Sequence, residues 1–302
     1  MRAADPLWSL KSVSLAPARL REIALEIPRG VTAILGWSGA GKTSLLNLLV
    51  DFEKPDAGEI RGAPRVAWVP QNGGLWPHCT AREHLEIARC PIGETDALLA
   101  AFDLAEKARA FPHELSEGEQ SRLAVARALA ASADVLVMDE PLVHVDPARL
   151  GKYWQAIRDH LARTRASLVF STHEPEAALG EAEHVVCLRE GRVLHAGQVA
   201  ELYEKPTTPE LMGFLGAGNW LTPDEARDWL GIEIASARCF RPEQIVIGPC
   251  ESGRFIVESA RFRGSIAEVQ LRSDPLGTRV FFHRPANASL QAKMSANIRV
   301  RE

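Results

Sequence analysis

The sequence predicts an α/β protein, with a mostly parallel sheet, an antiparallel β layer beside it and a smaller β-barrel-like domain at the C-terminal end. One observation behind this is local: the apolar run 31–35 passes through a glycine-rich turn into a helical pattern over 44–50. Another is the repeat of short apolar segments at 31–35, 66–69, 135–138 and 167–171, separated by helical patterns as parallel strands require. The third is a change of character after Gly197. Residues 198–215 read as one or two short helices, and strand-like runs follow at 237–241, 244–247, 254–262, 265–272 and 278–283.

Taken in order, Trp8–Leu15 and 21–27 read as the antiparallel layer. Next comes Gly36-Trp37-Ser38-Gly39-Ala40-Gly41-Lys42-Thr43-Ser44, which fills the pattern G-x-x-x-x-G-K-[ST] between a strand and a helix. Glycines there let backbone N–H groups close on a triphosphate, and the helix N-terminus adds partial positive charge. Lys42 would reach the β- and γ-phosphates and Thr43 would hold Mg²⁺. This stretch therefore predicts a nucleoside triphosphate site.

The segment 80–130 is rich in helix, with Thr80, Thr95 and Ser116 as caps. A short buried strand at 135–138 ends in Asp139 and Glu140. Alone, such a pair is an ordinary solvated turn. After a phosphate loop it becomes a metal-binding carboxylate, Asp139, and a carboxylate that polarises the attacking water, Glu140. Thr222-Pro-Asp-Glu225 has the form of a capping box.

Composition narrows the function classes. The chain has 302 residues, 46% hydrophobic and 25% charged, with a formal net charge of −4, so its basic residues give no footprint for nucleic acid. No window has the length and apolarity of a membrane span, and the first residues lack the apolar core of a signal peptide. Cys79, Cys90, Cys187, Cys239 and Cys250 form no C-x-x-C pair, which predicts free thiols in a reducing compartment. His184 with Cys187 is half of a zinc pattern without its second half, and is read as packing.

The run Leu115-Ser116-Glu117-Gly118-Glu119-Gln120, continuing through Ala124-Val-Ala-Arg127-Ala-Leu129, resembles the signature of ABC-transporter ATPases. Gln71 after 66–69, the loop 143–146 with Asp146, and His173 in Ser171-Thr172-His173 match further family motifs, and the resemblance spans about residues 5–215. It implies a P-loop NTPase fold for 1–215, with a helical subdomain at about 80–130. Phe240-Arg-Pro-Glu243 and Phe262-Arg-Gly264 are similar to the OB-like regulatory domain of many bacterial importer ATPases, which implies that domain for 216–302.

The resemblance further implies ATP and Mg²⁺ as cofactors. Gln71 would touch metal and water, His173 the γ-phosphate, Ser116 and Gly118 would serve nucleotide held by a second copy, and Asp146, in the loop after the catalytic glutamate, would belong to the nucleotide-binding residues. The implied protein is a homodimeric ATPase on the cytoplasmic face of the cell membrane. It would power uptake through separate permease subunits, with an extracytoplasmic solute-binding protein in the complete system. An ATP-binding regulatory or non-transport ATPase with weak turnover is the alternative.

Two departures stand out. No aromatic residue follows the first strand at Ser14-Leu15-Ala16-Pro17, which leaves Trp8 as the nearest residue to stack on adenine. Glu117 occupies the first glycine position of the signature, where it would either repel a triphosphate or, harmlessly, turn outward to water or meet an arginine of the partner copy.

Overall fold

A computed structural model describes residues 5–62, 64–89, 93–274, 276–285 and 290–301. The chain divides into two compact units, Met1–Val199 and Ala200–Glu302. Sequence reading placed this break at 215/216.

The first unit holds two sheets. Strands β1 (Trp8–Leu15), β2 (Leu20–Ile27) and, later in the chain, β4 (Ala57–Arg61) form an antiparallel sheet ordered β2-β1-β4. Strand β2 turns Leu20, Ile23, Leu25 and Ile27 inward and leaves Arg21, Glu22, Ala24 and Glu26 exposed, the pattern of a sheet with one covered face. The larger sheet is ordered β5-β6-β7-β3-β8-β9. Its strands are β3 (Val31–Gly36), β5 (Val66–Val69), β6 (Val135–Asp139), β7 (Ser167–Thr172), β8 (His184–Arg189) and β9 (Arg192–Gln198). All neighbours run parallel except β8 and β9. Strands β6 and β7 are buried along their whole length, which is why they read as unbroken apolar runs.

Helix α1 (Lys42–Leu49) follows β3 and buries Leu45, Leu46, Leu48 and Leu49. Helices α2 (Ala81–Ile87), α3 (Glu94–Ala101) and α4 (Glu117–Ala130) fill the predicted helical region. Thr80 and Ser116 close capping boxes with Glu83 and Glu119. Thr95 does not cap: Gly93 is the N-cap of α3, and Thr95 is buried inside the first turn. Helix α5 (Pro147–Thr164) starts from Asp146, whose Oδ1 accepts from Ala148 N at 2.9 Å, and α6 (Pro175–Glu181) follows β7. His184 and Cys187 stand three residues apart on β8 and point to opposite faces. Burial pushes the Cys187 thiol up to about 12, the behaviour of an inert core thiol. Cys90 lies outside the described residues.

The second unit begins with α7 (Val199–Glu204), whose first residue closes the first unit, and α8 (Pro209–Phe214). Strands β10 (Asn219–Leu221) and β11 (Arg238–Phe240) pair with each other. An antiparallel sheet ordered β12-β16-β13-β14-β15 follows, made of β12 (Ile245–Pro249), β13 (Phe255–Arg263), β14 (Ile266–Ser273), β15 (Gly277–His283) and β16 (Ser295–Val300). Phe240, Ile247, Phe255, Leu271, Phe281 and Trp229 form its core. The Thr222 capping box is present, with Glu225 N donating to Thr222 Oγ1 at 3.3 Å.

Arg241 explains why α7 and α8 belong to this unit. Its guanidinium is 1% exposed, lies 4.1 Å from the Tyr203 ring centroid, and donates to Tyr203 O at 2.8 Å and Ala217 O at 3.1 Å. Longer contacts reach Met212 O and Gly216 O, both at 3.4 Å. These carbonyls stand at the C-terminal ends of two helices, where partial negative charge gathers and backbone acceptors lack partners. Among the described residues no helix is long and apolar enough to cross a membrane.

Candidate active site

Three strands of the parallel sheet deliver the candidate residues to one edge. β3 ends at Gly36, β6 at Asp139 and β7 at Thr172, all at the carboxyl ends where open α/β sheets bind ligands. Register holds them together, with Leu35 opposite Thr172 and Asp139 opposite Ser171.

The loop from Gly36 to Gly41 turns tightly between β3 and α1. A side chain at Gly36 would stand 2.4 Å from Leu188 O. One at Gly41, where φ is +103°, would meet Arg19 O at 2.7 Å. Both positions therefore require glycine. Ala40 is buried, Trp37 lies beneath Arg189 at 5.5 Å, and Ser38, Gly39 and Thr43 face solvent, with Ser44 half-buried. Lys42 is buried at the start of α1; its Nζ donates to Gly36 O at 3.0 Å and Trp37 O at 3.2 Å.

Lys42 Nζ also lies 3.6 Å from Glu140 Oε1, and His173 Nδ1 lies 3.1 Å from the same oxygen. Glu140 thus stands between the phosphate-loop cation and His173. Its backbone is left-handed, at φ 48°, as are Leu142 at 60° and His144 at 64°. Three such residues in one five-residue stretch store backbone strain beside the carboxylates. Asp139 is 2% exposed; its Oδ1 accepts from Ser171 Oγ, while its buried Oδ2 has no hydrogen-bond partner among the described residues. An unpaired buried carboxylate oxygen at the edge of the sheet that also carries the phosphate loop suits a hard divalent cation. Gln71 joins Asp139, Glu140, Glu117 and His144 in lining a cavity of about 200 Å³.

The Gln71 loop is tied down behind that cavity. Arg127 of α4 donates to Gly73 O at 2.9 Å and to Gly74 O, and lies 5.1 Å from the Trp76 ring. His84 stacks on the same ring at 5.2 Å and accepts from Trp76 N at 2.8 Å through Nε2, while its Nδ1 meets Thr80 O at 2.8 Å. The carbonyl can only accept, so His84 is the neutral Nδ1–H tautomer. Arg127 was read only as part of the signature run, and His84 and Trp76 were not singled out; no local pattern marks an arginine that acts on a loop about fifty residues away.

Burial lowers the His84 pKa, and does the same for His160 and His283. The unfolded chain protonates these rings as the pH drops below 6.5, while the fold keeps them neutral to lower pH. Their stabilising share is complete above 6.5 and is lost as the pH falls through the folded-state values. Asp134, held down to about 2 by Arg65, acts only in a more acidic window. The urea midpoint should therefore drop between about pH 7.5 and about pH 5.5; a flat midpoint across that interval contradicts the reading.

The signature residues sit at the N-terminus of α4. Ser116 Oγ accepts from Glu119 N at 3.3 Å, so in this chain the hydroxyl caps its own helix. A side chain at Gly118 would approach His144 O to 2.7 Å, which locks the signature against the loop ending at Asp146. Glu117 is turned outward, 79% exposed, with Oε2 3.8 Å from His144 Nδ1. Trp8 is 1% exposed inside β1, opposite Ile27, and cannot stack on a base. Without an aromatic stack worth about 1–3 kcal/mol, ATP and GTP should compete almost equally in binding assays. A strong ATP preference would require another base contact.

Comparison with known proteins agrees with this geometry. The profile described as "ABC transporter" matches residues 20–143. The Fe(3+) ions import ATP-binding protein FbpC of Serratia marcescens is 30% identical, with 86% of this chain and 86% of the relative covered. The sulfate/thiosulfate import ATP-binding protein CysA of a Synechocystis strain is 35% identical over 67% of this chain and 62% of its own length. A bacterial ABC transporter cassette solved as a dimer superposes with a TM-score of 0.56 at 25% identity, covering 64% of this chain and 98% of the cassette. The chain belongs to the family of ABC transporter ATP-binding proteins.

Proposed function

We propose that this protein is the ATP-hydrolysing subunit of an importer. It works as a homodimer docked to separate membrane permease subunits on the cytoplasmic face of the cell membrane, in a system completed by an extracytoplasmic solute-binding protein. The observation that carries this is the convergence of the Gly36–Thr43 loop, Asp139, Glu140, His173 and Gln71 on one edge of the sheet. The import role rests on the relatives' names and the length over which they match.

In this reading the backbone N–H groups of Gly39, Ala40, Gly41 and Lys42, with the Lys42 ammonium, hold the β- and γ-phosphates. Thr43, Asp139 and Gln71 hold Mg²⁺, which when bound neutralises charge on the phosphate oxygens. Glu140 takes the proton of the attacking water, and His173 orients that carboxylate and faces the γ-phosphate. Ser116, Gly118 and Asp146 complete the site for nucleotide bound by the other copy. The charge of the γ-phosphate then draws a second helix N-terminus onto it, and hydrolysis releases that attraction. The second unit serves regulation and contact between copies.

The test is Mg²⁺-dependent ATP hydrolysis by the full chain, together with co-purification of membrane proteins. Lys42→Ala should abolish nucleotide binding. Retained turnover in that variant would sink the assignment.

A further inference from the structure

The Ser171 hydroxyl is fully buried near the end of β7 and touches both acidic residues of the site, Asp139 through its carboxylate and Glu140 through its backbone N–H. It donates to Asp139 Oδ1 and accepts from the backbone N–H of Glu140 at 2.9 Å. A hydroxyl has one proton to give, so the direction of both contacts is fixed: the amide cannot accept, and the proton goes to the carboxylate.

Each contact has a consequence. On Asp139, the bond occupies Oδ1 and fixes the carboxylate plane, which leaves Oδ2 as the oxygen without a partner. On Glu140, it pins the N–H of a residue held at φ 48°, a backbone state that a non-glycine side chain leaves readily when nothing holds it. That backbone state directs the Glu140 carboxylate to His173 and Lys42. Parallel pairing of β6 with β7, in which Asp139 faces Ser171, puts the hydroxyl where it serves both residues.

We propose that Ser171 is a positioning residue for ATP hydrolysis: one buried hydroxyl sets which Asp139 oxygen is offered to the divalent cation and holds the Glu140 backbone in the conformation that aims its carboxylate. This rests on the roles given above to Asp139 and Glu140. Ser171 needs no contact with nucleotide to act. Its loss should affect turnover and cation binding while leaving the phosphate loop intact.

A pair of variants separates the hydroxyl from packing. Ser171→Thr and Ser171→Val add the same bulk at a buried strand position, and only threonine keeps the hydroxyl. Relative to Ser171→Thr, the Ser171→Val protein should hydrolyse ATP about 10-fold more slowly, as expected when a buried acceptor and a buried donor lose their common partner. Its KM for ATP should stay within about 2-fold, since binding through the loop is untouched. Mn²⁺ titrated into the ADP-loaded proteins and followed by electron paramagnetic resonance should bind about 5-fold more weakly to Ser171→Val. Equal kcat and equal Mn²⁺ affinity in the two variants would overturn the proposal, as would a loss of kcat matched by a loss of ATP affinity with Mn²⁺ binding unchanged. A Glu140→Gln control keeps the two levels apart: if that variant turns over at the parental rate, the roles of the carboxylates fail before Ser171 is tested.

Discussion

Replacing Glu140 by glutamine should cut ATP hydrolysis by about 10²-fold or more while ATP affinity stays at the parental level. The side chains have nearly the same size, so the contacts around it can persist. Glu140 Oε1 lies 3.1 Å from His173 Nδ1 and 3.6 Å from Lys42 Nζ. An amide keeps an oxygen for both neighbours and loses the charge and basicity that draw a proton from water. Phosphate binding through Gly36–Thr43 does not pass through this carboxylate. Single-turnover hydrolysis and equilibrium binding of a fluorescent ATP analogue check the two halves separately. A parental hydrolysis rate would remove Glu140 from the role of base.

The second large effect lies in the C-terminal unit. Arg241→Met should destabilise it by about 3 kcal/mol or more, because the variant keeps the apolar stem and deprives helix-end carbonyls of their shared donor. Methionine also loses the contact with the Tyr203 ring. Hydrogen exchange of amides in α8, β11 and β12 should rise sharply, and a lower urea midpoint should accompany it. Parental exchange rates would mean that these carbonyls are satisfied without the guanidinium.

How far the sequence discloses this protein depends on where each residue's partners lie. The phosphate loop was legible because its constraint is local: a strand, a turn that excludes side chains at Gly36 and Gly41, and a helix. Strands β3, β6 and β7 were legible because burial on both faces leaves continuous apolar runs, and the edge strand β5 because VAWV is apolar throughout although one face is only partly buried. β4 was missed because AGEIR is mostly exposed and carries no apolar period. β9 and β16 were missed for a related reason, since their alternation is carried by few apolar side chains. The domain break was read beyond α7 and α8 because nothing local says that a single arginine, far along the chain, gathers their carbonyls.

The site shows the same division. Asp139 and Glu140 were named from their place at a strand end after a phosphate loop, Gln71 and His173 from the family resemblance, and the structure brings the four to one edge of the sheet. Ser171 and Arg127 act on groups distant in sequence, His84 on backbone groups of its own turn and of Trp76, and the three types are ordinary for their elements. Trp8 was named for its aromatic ring, yet alternation along β1 already turns it inward. Glu117 is exposed beside His144, and its two readings differ in what it meets on a second copy.

In the proposed dimer, ATP joins the phosphate loop of one copy to Ser116 and Gly118 of another. Sedimentation velocity of the Glu140→Gln protein, with and without Mg²⁺ and ATP, tests it most directly. The expected result is a monomer without nucleotide and a dimer with it, and loss of the dimer on adding Ser116→Arg without weaker ATP binding to the single chain. A Glu140→Gln protein that binds ATP and stays monomeric, or a dimer indifferent to Ser116→Arg, would contradict it.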